Sequence, residues 1–140
     1  MAIDEVMREA ALLVDRLPPR QASAAMADGA VLVDIRPEFQ RRADGEIPGA
    51  IVIERVHLEW RCDPTSTGRV PEAVDHDVRW IVICDEGYSS LLAAVSLRAV
   101  GLRHATDVIG GFRAWRSAGL PVVRPPSPTL PRLYAPPPQP

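Results

Sequence analysis

The chain has 140 residues, a size that fits one domain able to bury about two thirds of the surface its unfolded form exposes. A formal net charge of -2, scattered arginines and only two cysteines point away from nucleic-acid binding and from a disulfide scaffold. No stretch approaches the roughly 18–20 apolar residues that span a bilayer, and Asp4, Glu5, Arg8 and Glu9 interrupt the segment where a secretion signal would be apolar, so the expected setting is the reducing cytoplasm, without membrane contact.

Residues 3–16 place Ile3, Val6, Met7, Ala10, Leu13, Val14 and Leu17 at helical spacing, and Pro18-Pro19 closes the pattern. The apolar face so formed packs on its own domain or covers a partner. Gln21 to Ala27 is alanine-rich and stops at Asp28-Gly29, a second short helix. Ala30 to Asp34 reads as a continuous apolar strand of the kind buried in a parallel sheet. Pro37 suits the first turn of a helix running to about Ala43, with Asp34 ahead of it as a cap. Asp34 and Arg36 then fall at the carboxyl end of a strand, where open α/β sheets bind ligands; the competing reading is an internal ion pair that fixes the loop. Asp44 to Gly49 is a turn, and Ala50 to Ile53 is another short buried strand.

Glu54 to Arg79 is the least regular segment, with a helical turn over Val56 to Trp60 and loop chemistry from Arg61 to Pro71. Beyond it, the β-branched run Trp80 to Ile83 ends at Cys84, a turn with Gly87 at its centre follows, and a helical pattern begins at Ser89 or Ser90. If the turn curls around the sulfur, the N–H groups of residues 85 to 90 point into one concavity, and the helix N-terminus adds the positive end of its dipole. Both favour thiolate over thiol. A free cysteine has a pKa of about 8.5, and such surroundings commonly bring it to about 3.5–7.5. The alternative is a buried structural cysteine at a strand end.

Leu91, Leu92, Ala94, Val95 and Ala99 form the expected packing face of the helix after the loop, with Gly101 at its stop. Thr106 to Ile109 is the last strand, and Gly110-Gly111 opens a final helix through Trp115 and Ala118. Nine of the twenty residues from Pro121 onward are proline, so the C-terminal stretch is expected to be an extended or disordered tail, either solubilising or docking a proline-reading partner through Pro125-Pro126-Ser127-Pro128 or Pro136-Pro137-Pro138. His57, His76 and His104 form no ligand cluster, so no metal or other cofactor is expected. The alternation of strands and helices predicts an α/β fold with a central parallel sheet covered by helices on both faces.

Val31 to Phe39, with Gly45-Glu46-Ile47-Pro48-Gly49-Ala50, resembles the first signature of rhodanese-like domains. Val108-Ile109-Gly110-Gly111-Phe112-Arg113-Ala114-Trp115 with Ala118 to Val122 is similar to their closing signature, and the Cys84 loop lies between the two. The resemblance implies a three-layer rhodanese-like domain over residues 18–123, flanked by an N-terminal helix (1–17) and the tail (124–140). It also implies sulfur transfer, with Cys84 as nucleophile and persulfide carrier. Asp85, Glu86, Gly87, Tyr88, Ser89 and Ser90 then bind the anionic sulfur through backbone amides and the two serine hydroxyls, with Arg36 as a further substrate-binding residue. The implied partners are a small-molecule donor such as thiosulfate or a persulfide, which a protein can also carry, and a thiol or cyanide acceptor. The oligomeric state is left open.

The departures from that pattern carry their own expectations. Asp85 and Glu86 put two carboxylates beside Cys84, each repelling a unit charge by roughly 2–3 kcal/mol at about 6 Å and an effective dielectric near 20. Unless they point into solvent, thiosulfate is expected to be a poor donor. Arg61 and Arg69 are candidates to supply the missing positive charge, or else solvated loop cations. Cys62 is a resolving thiol only if its Cα lies within about 7 Å of that of Cys84. Glu46 replaces the family's usual histidine, which is expected to alter a surface hydrogen bond. A C-x5-R phosphatase or arsenate-reductase loop would need arginine where Ser90 stands. The competing class for the whole chain is a non-catalytic or persulfide-sensing interaction module.

Overall fold

The computed structural model describes residues 1–124 of the chain. The expectations for the proline-rich stretch 125–140 lie outside the described residues. Four short strands pair in parallel in the order β2-β1-β3-β4: β1 is Val31–Asp34, β2 Ile51–Val52, β3 Trp80–Ile83 and β4 Thr106–Asp107. β1 up to Val33, β2 and β3 are apolar, as strands covered by helices require, whereas the edge strand β4 buries the polar pair Thr106-Asp107. Side chains alternate across them. Val33, Trp80, Val82 and Cys84 face one cluster, together with Leu58, Cys62, Ala93 and Leu97; Leu32, Ile81 and Ile83 face another, with Ala22, Phe112 and Trp115.

Helices supply the two outer layers. On one face lie α4 (Leu58–Cys62), entered through a 3-10 turn at Arg55–His57, and α5 (Ser89–Ala99); on the other lie α2 (Pro19–Ala27) and α6 (Gly111–Ser117). The N-terminal helix α1 (Ile3–Leu13) packs on the outer side of α5, where Ala10 and Val14 meet Leu91 and Ala94. Its stripe is therefore used in part: Ala10 and Val14 are buried, whereas Ile3 and Leu13 stay exposed because the helix touches α5 along only one edge. α5 itself is covered on two sides. Ala93 and Leu97 turn to the sheet and Leu91 and Ala94 to α1, while Ala99, expected in the packing face, is exposed. Its C-terminus closes with Leu102 N–H donating to the Leu97 carbonyl around Gly101, whose φ is 89°.

α3 (Glu38–Asp44) follows Pro37 but has no side-chain cap, because the Asp34 carboxylate is committed to Arg36. Glu46 corrects the expectation of a surface bond: it is buried and paired with Arg41, and its backbone exchanges two hydrogen bonds with Val123.

Candidate active site

β3 delivers Cys84 to the carboxyl edge of the sheet, and the chain then turns through residues 85–88 into α5. The orientation of the loop is fixed from outside. The carbonyls of Cys84 and Asp85 accept from the second and third N–H groups of α6, those of Phe112 (2.8 Å) and Arg113 (3.1 Å). With its carbonyls turned outward, the loop directs amides inward, and Sγ of Cys84 accepts from the N–H of Gly87 (3.2 Å) and of Ser90 (3.3 Å). Ser90 lies in the first turn of α5, so the dipole of an 11-residue helix points at the same sulfur. Gly87 is required twice over: its φ is 91°, and a Cβ there would stand 2.7 Å from the Gly110 nitrogen.

The residues expected to bind substrate divide by position. Glu86, Tyr88 and Ser89 are exposed at the rim of the loop. The Ser90 hydroxyl, expected on the sulfur, instead donates to Asp107 Oδ2 at 2.7 Å, leaving only its amide for Cys84. Asp85 is tied back by Arg113, whose Nε lies 2.9 Å from Oδ2. Of the two readings open at Arg36, the geometry is that of the ion pair. Its side chain has no exposed surface, and its guanidinium meets Asp34, the Gly45 carbonyl and the Phe112 ring at 3.8 Å.

Positive charge reaches the loop from residues that sequence reasoning did not single out. Arg16, just after α1, donates from Nη2 to the Gly87 carbonyl at 2.7 Å and pairs through Nε and Nη2 with the buried Asp107. Arg113 neutralises Asp85. Arg61 and Arg69, the expected sources, hold their own loop by donating to the carbonyls of Gly68 and Ser66. Cys62 sits fully buried in the core, and burial, with Glu59 nearby, pushes its thiol pKa far up. Among the described residues no group of three or more His, Cys, Asp and Glu side chains is placed to hold a metal ion.

A cysteine at a strand end, its sulfur accepting from two backbone amides beside a helix N-terminus, defines the candidate site of an α/β protein. Its family follows from comparison with known proteins. The model of the rhodanese-like domain matches residues 18–118, and the chain belongs to that family. It is 39% identical over 102 residues to the thiosulfate sulfurtransferase GlpE of Pseudomonas entomophila (strain L48), covering 73% of this chain and 84% of that one. The GlpE of Pseudomonas savastanoi pv. phaseolicola is 37% identical over the same length, covering 87% of that protein. Among solved structures, a Rhodopseudomonas palustris CGA009 protein described as of unknown function and a possible tyrosine phosphatase superposes with a TM-score of 0.79 at 32% identity, covering 88% of this chain and 95% of that one. A rhodanese-related protein of Thermoplasma volcanium gives 0.59 at 25% identity, over 77% of this chain and 96% of the other.

Proposed function

We propose that the chain is a rhodanese-class sulfurtransferase that carries sulfane sulfur on Cys84. The observation that carries this reading is the pair of amides, from Gly87 and Ser90, aimed at Sγ. Such donors stabilise a thiolate and equally the terminal sulfur of a persulfide. In the first half-reaction the thiolate attacks the outer sulfur of thiosulfate; the S–S bond of the donor breaks and sulfite leaves with the bonding pair. In the second, cyanide or a thiolate attacks the terminal sulfur of Cys84–S–S⁻, and the Cys84 thiolate departs. Charge and sulfur balance in both, no proton or electron is needed, and the scheme is ping-pong. A thiolate carrier suits a reducing compartment such as the cytoplasm. No helix among the described residues is long and apolar enough to cross a membrane.

The loop charges are compatible with thiosulfate as donor. Glu86 points into solvent and Asp85 is paired, so the repulsion expected of two free carboxylates is reduced. A phosphatase reading finds less support: the sixth position after Cys84 is Ser90, and the two arginines that do reach the loop are committed, Arg16 to Asp107 and the Gly87 carbonyl and Arg113 to Asp85. A non-catalytic interaction module would have no use for amides on the sulfur, whereas a persulfide-sensing one would, and it is release of the loaded sulfur to an acceptor that separates the enzyme from it. Incubating reduced protein with thiosulfate, and separately with a small persulfide, is expected to add one sulfur by intact mass, lost to cyanide and absent in Cys84→Ser. No added sulfur from either donor would overturn the carrier role.

A further inference from the structure

The two amides that face the sulfur are joined behind it by side chains from the far ends of the chain. The N–H of Ser90 donates to Sγ, and its hydroxyl donates to Asp107. The other amide belongs to Gly87, whose carbonyl accepts from Arg16 at 2.7 Å. Arg16 closes the circuit through Nε to Asp107 Oδ1 at 2.8 Å and Nη2 to Oδ2 at 2.9 Å. The ring thus runs from sulfur through Ser90, Asp107, Arg16 and Gly87 back to sulfur.

Backbone pairing explains how Arg16 comes to be there. The segment after α1 lies alongside β4: the Leu17 N–H donates to the Asp107 carbonyl, the Ile109 N–H donates to the Leu17 carbonyl, and the Thr106 hydroxyl donates to the Asp15 carbonyl. With Leu17 in register with Val108, Arg16 falls beside Asp107. Asp107 has no exposed surface, so its carboxylate oxygens need partners, which this fork and the Ser90 hydroxyl supply. Arg16 is held in its charged form first by the Asp107 hydrogen bond, against partial burial, with the Cys84 sulfur adding to the effect.

We propose that Arg16 and Asp107 are positioning residues of the sulfur site, a clamp that holds both sulfur-facing amides in place and balances the charge behind Cys84, thereby setting how much of Cys84 stands as thiolate. This rests on the sulfur-carrier reading for its meaning in catalysis, but thiolate content is measurable without any sulfur donor. The other charged or titratable groups at this edge are Asp85, Glu86 and Tyr88 of the loop, Arg113 opposite Asp85, and the closed pair Asp34–Arg36; none of them bonds to the clamp.

The charge balance makes the test directional. Arg16→Gln removes the cation behind the sulfur; Asp107→Asn removes the carboxylate that pairs with it and leaves the Arg16 cation in place. The full-length chain is alkylated with iodoacetamide from about pH 5 to about pH 10, modification of Cys84 is read by intact mass, and circular dichroism checks the fold. Arg16→Gln is expected to move the pH midpoint up by about one unit, tenfold less thiolate below it, whereas Asp107→Asn leaves it unchanged or lowers it. Arg16→Lys keeps the charge but not the fork and is expected to return most of the shift. Sulfur loading from thiosulfate should fall about tenfold in Arg16→Gln when assayed below the midpoint. If both folded variants shift upward together, the residues merely brace the loop and the charge clamp is wrong; if neither shifts, it is wrong as well. Should Arg16→Gln fail to fold, an upward shift in Asp107→Asn alone refutes the clamp, and a downward shift supports it. Wild-type protein that shows the alkylation profile but takes no sulfur would sink the carrier reading while leaving the clamp intact.

Discussion

Asp85 follows Cys84 directly, and its carboxylate would oppose negative charge on the sulfur and on a dianionic donor if it stood alone. The Arg113 guanidinium changes that. Its own pKa is raised, first by the Asp85 hydrogen bond and then by the Asp85 charge. The arginine side chain is 59% exposed, so its contribution is one of charge balance at a wet surface, screened within about 8–10 Å. Arg113→Ala is therefore expected to raise the KM for thiosulfate about three- to tenfold at low ionic strength, with the effect shrinking as salt is added and with little change for a neutral persulfide donor. Replacing Asp85 with Asn in the same variant should bring the KM back towards wild type. Steady-state kinetics at two salt concentrations check this; an equal loss with both donors would mean that Arg113 positions the loop rather than balancing its charge.

The unit that shapes the site is the contact between the Cys84 loop and the start of α6. The close approach rests on Gly111, at φ 60°, where a Cβ would lie 2.5 Å from the Cys84 carbonyl oxygen and 2.7 Å from the Asp85 carbonyl. Gly119 has a similar φ of 74° with nothing within 4 Å, and so isolates the cost of the backbone conformation from that of the contact. Gly119→Ala should cost about 1–2 kcal/mol and leave sulfur loading unchanged. Gly111→Ala should cost about 2–4 kcal/mol and slow loading, because α6 must retreat and release the two loop carbonyls that keep the amides turned inward. Urea unfolding and loading rates separate the two; equal effects on loading would remove α6 from the mechanism. At this scale the sequence was legible where the signal is local. Trp80 to Cys84 reads as a buried strand from its own residues, and Gly87 reads as a turn glycine. Gly110-Gly111 reads only as a helix opening, because what it must not touch lies some 26 residues back in the chain. The same holds for α5, whose second buried side exists only because α1 covers it.

Across the whole molecule, the pairs that complete the site join distant parts of the chain: Arg16 and Asp107 are 91 residues apart, and neither belongs to a local motif. No helical or strand period marks them, so the parallel sheet and its covering layers could be read from the sequence while the clamp could not. The same architecture gives the two cysteines opposite chemistry. Both face one core cluster, yet Cys84 sits at the sheet edge under two amides and Cys62 lies at the end of α4 with no exposed surface. Burial, first, and the charge of Glu59 raise the Cys62 pKa, so the folded state keeps a neutral thiol at a pH where the unfolded chain ionises it. The sign follows: the stability due to this group is fully present below the unfolded value of about 8.5 and declines as pH rises above it towards the folded value, with a slope of about 1.4 kcal/mol per unit. Between pH ~8.5 and pH ~10 the wild type should lose about 2 kcal/mol that Cys62→Ala does not lose, although the variant starts lower because of the space it leaves. Urea denaturation at the two pH values measures the difference in slope, and alkylation gives an independent reading of the same burial. In native protein one thiol, Cys84, should react, and the second only as fast as the chain unfolds; two adducts at similar rates would mean that the face of the sheet under α4 opens on its own.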